Sequence, residues 1–374
     1  MAVEQSAPPL RPGGRDAAPV LPEPRGPLSR AVIEALAGRS PGGPARPGAA
    51  APLPRDAGSA DPYGDDLQLA LHVCYELHYR GFAGVSPDWE WDPELLRLRG
   101  ALEAVFLDAL RAGTAAPATA RAGRDARTEL EDALDELLVE PADGGGGVTG
   151  HLRDAGERWQ LLEHAAHRSV YHLKEADPHA WVIPRLRGRA KTALVAVEHD
   201  EFGGGRPDRI HAGLYADLLE DLGLDSAYGA YVDAAPAPML ATVNMMSCFG
   251  LRRSLRGALV GHFAAAEITT APAARRMARA LERLGAGPRA LLFYTEHIEA
   301  DAVHEQVLRH DVIGGLLADE PELAADVTFG VRATGLLEDR LAAHLLGAWG
   351  SDPPRSSLRR PLAGAAPGDR IACG

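Results

Sequence analysis

The segment His297-Ile-Glu-Ala-Asp-Ala-Val-His304 carries three potential metal ligands at intervals of four and then three residues. In an α-helix these steps amount to rotations of only about 40° and about −60°, so His297, Asp301 and His304 share one face. Two neutral imidazoles and a carboxylate form the donor set that suits Fe(II), Mn(II) or Zn(II). The spacing therefore predicts a metal-binding helix. A solvated helix face can carry the same residues by chance, so the prediction depends on ligands elsewhere.

A second candidate segment ends one helix and begins another. It runs Glu198-His-Asp-Glu-Phe-Gly-Gly-Gly-Arg-Pro-Asp-Arg-Ile-His211. Glu198 and Glu201 are three residues apart on one helix face, and His211 stands at the start of the helix that follows the glycine run. A carboxylate and an imidazole can thus converge across the kink. The alternative is a solvated, acidic helix end.

Glu267 follows the apolar, small-residue stretch Ala258-Leu-Val-Gly-His-Phe-Ala-Ala-Ala266. A carboxylate buried in helix packing is costly unless it is paired or binds a metal. Glu267 is therefore the strongest carboxylate candidate on physical grounds. Its alternatives are an ion pair with Arg252 or Arg253, or a helix end that emerges into solvent.

Helices must position these residues, because apolar residues recur at helical rather than alternating intervals and strand signals are scarce. Pro184, Pro272 and Pro321 each suit a first helical turn. The pattern predicts helices over residues 67–80, 93–110, 159–174, 184–199, 210–222, 242–267, 272–284, 290–310 and 321–346. The fold class expected is all-α.

Composition limits the classes of function. The formal net charge of −13 argues against a general nucleic-acid binder, which needs surplus Lys and Arg to neutralise phosphates. Three scattered cysteines, the lack of a leader-like N-terminus and the lack of a long apolar run predict a cytoplasmic protein without a membrane contact. Residues 1–62 and 351–374 are rich in Pro, Gly, Ala and Arg, which predicts two disordered tails.

Taken together, five features resemble one known family, the haem-oxygenase-like di-iron oxidases and oxygenases, often called iron-containing redox enzymes. In chain order they are Tyr75-Glu-Leu-His-Tyr-Arg-Gly-Phe82, then Leu173-Lys-Glu-Ala-Asp-Pro-His179 with Ile183-Pro-Arg-Leu186, then Asp200-Glu-Phe-Gly-x-Gly205 with His211-x-x-Leu-Tyr215, then Glu267, and last His297-x3-Asp301-x2-His304. The resemblance runs from about residue 65 to residue 349.

The resemblance implies a multi-helical bundle, residues 151–350, whose core helices hold two Fe(II) ions per chain, with dioxygen as co-substrate. Its ligands by position would be Glu175, His211, Glu267, His297, Asp301 and His304, with Glu201 as an extra carboxylate found in one branch of the family. Glu198 or Asp200 could serve in place of Glu201. Glu175 rests on the resemblance alone, because its spacing also fits a solvated helix terminus.

Residues 63–150 resemble the N-terminal helical extension of a branch that includes N-oxygenases. The expected function is thus a non-haem di-iron oxidase or oxygenase that acts on a small organic molecule, with oxidation at nitrogen suggested. Two alternatives stay open, a haem-dependent or cofactorless enzyme on the same scaffold and a non-catalytic metal-binding protein. The sequence leaves the oligomeric state open, a homodimer included.

Overall fold

The computed structural model describes residues 15, 17–38, 41, 53–115, 125–139 and 147–363, apart from the side chains of residues 299–303. All regular secondary structure in this part of the chain is helical, as predicted. The α-helices are α1 (Pro27–Gly38), α2 (Asp65–Glu76), α3 (Pro93–Gly113), α4 (Ala126–Leu137), α5 (Gly147–Asp154), α6 (Arg158–His172), α7 (Asp177–Ala180), α8 (Gly188–Glu201), α9 (His211–Asp221), α10 (Ala237–Leu251), α11 (Arg256–Arg283), α12 (Pro288–Gln306), α13 (Gly314–Asp319) and α14 (Ala324–Trp349).

The structure corrects three predicted helix boundaries. The helix expected to begin at Pro184 begins at Gly188, because Leu186 and Arg187 adopt extended backbones after a short 3-10 turn. The helix expected over residues 242–267 is interrupted, because Arg252 adopts an extended backbone between α10 and α11. Pro272, expected to begin a helix, lies inside α11. A proline in a helix interior loses one hydrogen bond and clashes with the preceding turn. The packing of α11 against α12 and α14 on either side outweighs that local cost.

Helix α11 is the centre of the bundle, and it crosses α14 at close range. A Cβ atom on Gly261 would collide with the carbonyl oxygen of Val327, and one on Gly330 would collide with the carbonyl oxygen of Ala258. The two backbones therefore touch where both helices carry glycine. This contact fixes the position of α11, which carries Glu267 about 1.7 turns beyond Gly261.

Helix α1 lies within the stretch whose composition predicts a loose tail. A helix of this length is marginal in isolation. Here Val32 and Leu36 are buried, α1 packs against α2, and the Asp66 carboxylate of α2 accepts hydrogen bonds from the backbone N–H groups of Leu28 and Ser29 at 2.9 and 2.7 Å. Burial and a cap supplied by another helix thus hold α1 in place.

In residues 351–363, where composition predicts a tail, Ser357 and Leu358 are buried while most of the neighbouring residues are exposed. Ser357 is buried and donates from its backbone N–H and its hydroxyl to Glu163 Oε2, at 2.9 and 2.7 Å. The same oxygen accepts from Trp349 Nε1 at 2.9 Å. Glu163 of α6 therefore holds the C-terminal segment against the bundle.

Replacing Glu163 with alanine is expected to lower the free energy of unfolding by at least about 2 kcal/mol, because it leaves buried donors on Trp349 and Ser357 unsatisfied. Ser357→Ala, which removes only the hydroxyl, is expected to cost about 1 kcal/mol. Urea unfolding followed by circular dichroism measures both. Equal losses for the two variants would contradict the central role of the Glu163 carboxylate.

No helix among the described residues combines the length and the apolar character that a bilayer crossing requires.

Candidate metal centre

A sharp turn after α6 positions Glu175. Lys174 N–H donates to the carbonyl of Tyr171 at 2.8 Å, and Ala176 then adopts a positive φ of 73°, which residues other than glycine rarely do. The chain reverses there and starts α7 at Asp177. The Glu175 side chain is buried, and its Oε1 lies 3.7 Å from His297 Nε2.

Three glycines bring Glu201 and His211 together. Glu201 is the last residue of α8, and residues 203–205 are consecutive glycines with φ of 84°, 59° and 79°. A Cβ on Gly203 would collide with the carbonyl oxygen of Arg206, so the reversal requires glycine. His211 begins α9 on the return, and its Nδ1 lies 2.7 Å from Glu201 Oε2.

The packing of α11 on α12 brings Glu267 of α11 and His304 of α12 next to Glu201. His304 Nδ1 lies 3.1 Å from Glu267 Oε2 and 3.8 Å from Glu201 Oε1, while its Nε2 lies 3.2 Å from Asp200 Oδ2. The alternatives for Glu267 do not occur, since Arg252 pairs with Glu103 and Glu267 is buried against His304. Asp301 lies on the α12 backbone, but its side chain is outside the described residues.

These residues form two buried groups. In each group the potential ligand atoms all lie within 4.8 Å of one another. The first group contains Glu175, Glu201, His211 and His297, and the second contains Glu201, Glu267 and His304. Glu201 belongs to both, so the two groups adjoin through one carboxylate. The structure thus brings together six of the seven residues named from the sequence.

The region that contains this site matches a known family. Residues 162–339, which include all six residues of the two groups, match the family model described as iron-containing redox enzyme. Over these residues the chain is therefore similar to the iron-containing redox enzyme family. Among solved structures, a CADD-like protein of unknown function from Nostoc punctiforme is similar, with 17% sequence identity and a TM-score of 0.46, over 58% of this chain and 97% of that chain. No curated protein matches the chain.

The charges in these two groups fit a divalent cation. In the described part of the chain, the ion pairs of Glu175, Glu201 and Glu267 involve only histidines. Glu175 Oε2 and Glu201 Oε1 are buried there without a hydrogen-bond partner. Buried carboxylates without a cation are costly, and carboxylate oxygens with imidazole nitrogens are donors that suit iron.

The pKa values reflect this concentration of acids. Burial raises the pKa of Glu198 to about 9, and Glu201 and Glu267 add to the shift. Burial also raises the pKa of Glu267. Burial lowers the pKa of His304, but the hydrogen bond and charge of Glu267 outweigh it, and the pKa rises to about 9. Before metal binds, protons therefore neutralise part of the acidic cluster.

The sequence analysis did not identify three groups that contact the candidate ligands. The carbonyl of Phe293 accepts a hydrogen bond from His297 Nδ1 at 2.7 Å, Asp200 contacts His304 Nε2, and His172 Nδ1 lies 2.8 Å from Glu175 Oε1. The spacing of three between His172 and Glu175 was visible in the sequence. The other two contacts depend on side-chain rotation and on helix packing, which periodicity does not determine.

Buried histidines outside the site predict an acid sensitivity. Burial lowers the pKa of His262 to about 4 and that of His167 to about 3, from 6.5. At these histidines the unfolded chain binds protons that the folded chain does not, so each of them lowers stability as pH decreases from about 6.5 to about 4, while the raised pKa of Glu198 acts in the opposite direction. His262 alone accounts for about 3 kcal/mol over this range. Urea unfolding of the metal-free protein across this range, compared with His262→Asn, measures the effect, and identical pH slopes would contradict it.

Proposed function

We propose that this protein is a non-haem di-iron oxidase or oxygenase that uses dioxygen to oxidise a small organic substrate. The observation that carries the proposal is the pair of buried groups that share Glu201. A carboxylate that reaches two adjoining positions is the arrangement by which helical bundles hold two metal ions close together. The match of residues 162–339 to the family model described as iron-containing redox enzyme supports iron as the metal.

In this proposal the first iron would be held by Glu175, Glu201, His211 and His297, and the second by Glu201, Glu267 and His304. By its spacing on α12, Asp301 would be a further ligand. Iron so bound supplies one-electron and dioxygen chemistry that protein side chains lack.

The chain's own groups orient the imidazoles. The Phe293 carbonyl accepts the Nδ1 proton of His297, so Nε2 faces the first group. In His304 the two ring nitrogens exchange these roles. Asp200 accepts the Nε2 proton, and Nδ1 faces Glu201 and Glu267. Such partners fix the tautomer and the angle of a ligating histidine. The burial of the six side chains excludes bulk water from both positions.

The proposed substrate class rests on the resemblance alone. Because residues 63–150 resemble the helical extension of a branch with N-oxygenases, we include oxidation at nitrogen. Amines, amino acids and other small nitrogen compounds are therefore the first substrates to test.

The test is anaerobic titration of the metal-free protein with Fe(II), followed by oxygen-electrode measurements with and without a panel of amines and amino acids. We expect two Fe(II) per chain and catalytic oxygen uptake with at least one nitrogen compound. Oxygen uptake that stops after one stoichiometric oxidation for every compound would favour metal storage. Failure to bind Fe(II), together with a Soret band on addition of haemin, would overturn the proposal in favour of a haem-dependent relative.

A further inference from the structure

We propose that His172 is a positioning residue for the first metal group, which holds the Glu175 carboxylate in its ligating orientation through a hydrogen bond from Nδ1–H to Oε1. This inference rests on the proposed function. The two atoms are 2.8 Å apart. The other oxygen, Oε2, is buried without a hydrogen-bond partner in the described part of the chain, so it stays available to an ion.

His172 lies outside both ligand groups, although it is only three residues from Glu175. Its Nδ1 faces the Glu175 carboxylate. The ring edge reaches the surface, with 17% of the side chain exposed. These features distinguish a residue that orients a ligand from one that binds the metal.

The ring of His172 is held by aromatic side chains from the two helices that carry the histidines of the first group. Its centroid lies 4.6 Å from that of Tyr215 and 5.1 Å from that of Phe293. Tyr215 follows His211 by four residues on α9, and Phe293 precedes His297 by four residues on α12. Residues four apart share a helix face, so each helix presents one histidine to the metal group and one aromatic ring to His172.

The aromatic rings are themselves fixed. The Tyr215 hydroxyl donates to the Ala165 carbonyl of α6 at 2.9 Å, and the Phe293 ring also contacts that of His297 at 4.3 Å. His172 therefore couples three of the four residues of the first group, namely Glu175 by a hydrogen bond and His211 and His297 through their helices. Removal of the donor should let the Glu175 carboxylate rotate while the fold persists.

Metal affinity measured with Co(II) under anaerobic conditions provides a readout that does not depend on turnover. We expect His172→Phe, which keeps an aromatic ring but lacks the donor, to weaken one of two Co(II) sites by about 10- to 100-fold. His172→Asn places an amide N–H near the position of Nδ1, so it should restore the affinity to within a few fold of the wild type. His172→Leu replaces the phenylalanine variant if that variant does not fold.

The control is His167→Phe, which alters a buried histidine on the same helix that bonds Ser357 rather than the site. It should leave both Co(II) affinities and the visible Co(II) spectrum unchanged, whereas His172→Phe should change the spectrum of one site.

If the wild type binds two Co(II) and His172→Phe binds them equally well, the positioning role is overturned and the proposed function stands. Equal weakening by His172→Phe and His172→Asn would also overturn it, because ring packing would then be the cause. A wild type that binds no metal would contradict the proposed function itself.

Discussion

Replacing Glu201 with glutamine is expected to weaken both metal positions at once, by more than about 100-fold, since even outer partners of metal ligands are worth 10- to 100-fold. The reason is geometric, because among the side chains that the structure describes only Glu201 belongs to both buried groups. Glutamine keeps the size of the side chain but removes the negative charge. Glu267→Gln should weaken only the second position, since the first keeps all four of its residues. Anaerobic Fe(II) binding in competition with a chelator measures the two affinities separately.

The matched control for Glu201→Gln is Asp208→Asn. Asp208 is an exposed carboxylate in the turn that follows, and it pairs only with Arg206 and Arg209 among the described residues. The Asp208→Asn variant should bind Fe(II) with the affinities of the wild type. If Glu201→Gln keeps one unaltered site while Glu198→Gln loses both, Glu198 is the shared carboxylate and the assignment of Glu201 is wrong.

Replacing Glu76 with alanine is expected to lower the free energy of unfolding by roughly 3–5 kcal/mol, the usual cost of removing one partner from a buried ion pair. Glu76 of α2 accepts from Lys174 Nζ at 2.9 Å and from the Tyr228 hydroxyl at 2.6 Å, and all three side chains are buried. The variant removes the carboxylate that pairs with the buried Lys174 ammonium, whose Nζ also lies 4.3 Å from the centroid of the Tyr79 ring. Urea unfolding of the metal-free protein at neutral pH measures the loss.

Two comparisons separate the cause of this loss. The double variant Glu76→Leu with Lys174→Met should recover most of the stability, because apolar residues of similar size often replace a buried pair without loss. Glu131→Ala, which removes an exposed partner of Arg127, should cost less than about 1 kcal/mol. If Glu76→Ala lowers the free energy of unfolding as little as Glu131→Ala does, the prediction is contradicted.

Part of the site could be predicted from short-range spacing. The intervals within His297 to His304 placed the ligands on one helix face, because the helical period depends only on local backbone geometry. The glycine run after Glu201 likewise predicted a reversal, because only glycine adopts three consecutive positive φ values without strain. Glu267 was singled out because a carboxylate after an apolar stretch needs a partner.

The convergence of the two groups was decided by tertiary structure. The sequence alone ranked Glu175 low, since its neighbours also fit a helix end, and its place beside His297 results from the turn at Ala176 and the packing of distant helices. Pro272 was misread because its local signal favours a helix start, while packing carries α11 through it.

The sequence by itself determined that the chain is helical and that His297, Asp301 and His304 share one helix face, since periodicity and residue chemistry are local properties. Only the tertiary structure decided that Glu201 is shared by two groups and that His172 faces Glu175. The physical reason is that both facts depend on how helices cross and how side chains rotate, and contacts between residues far apart in sequence set these angles.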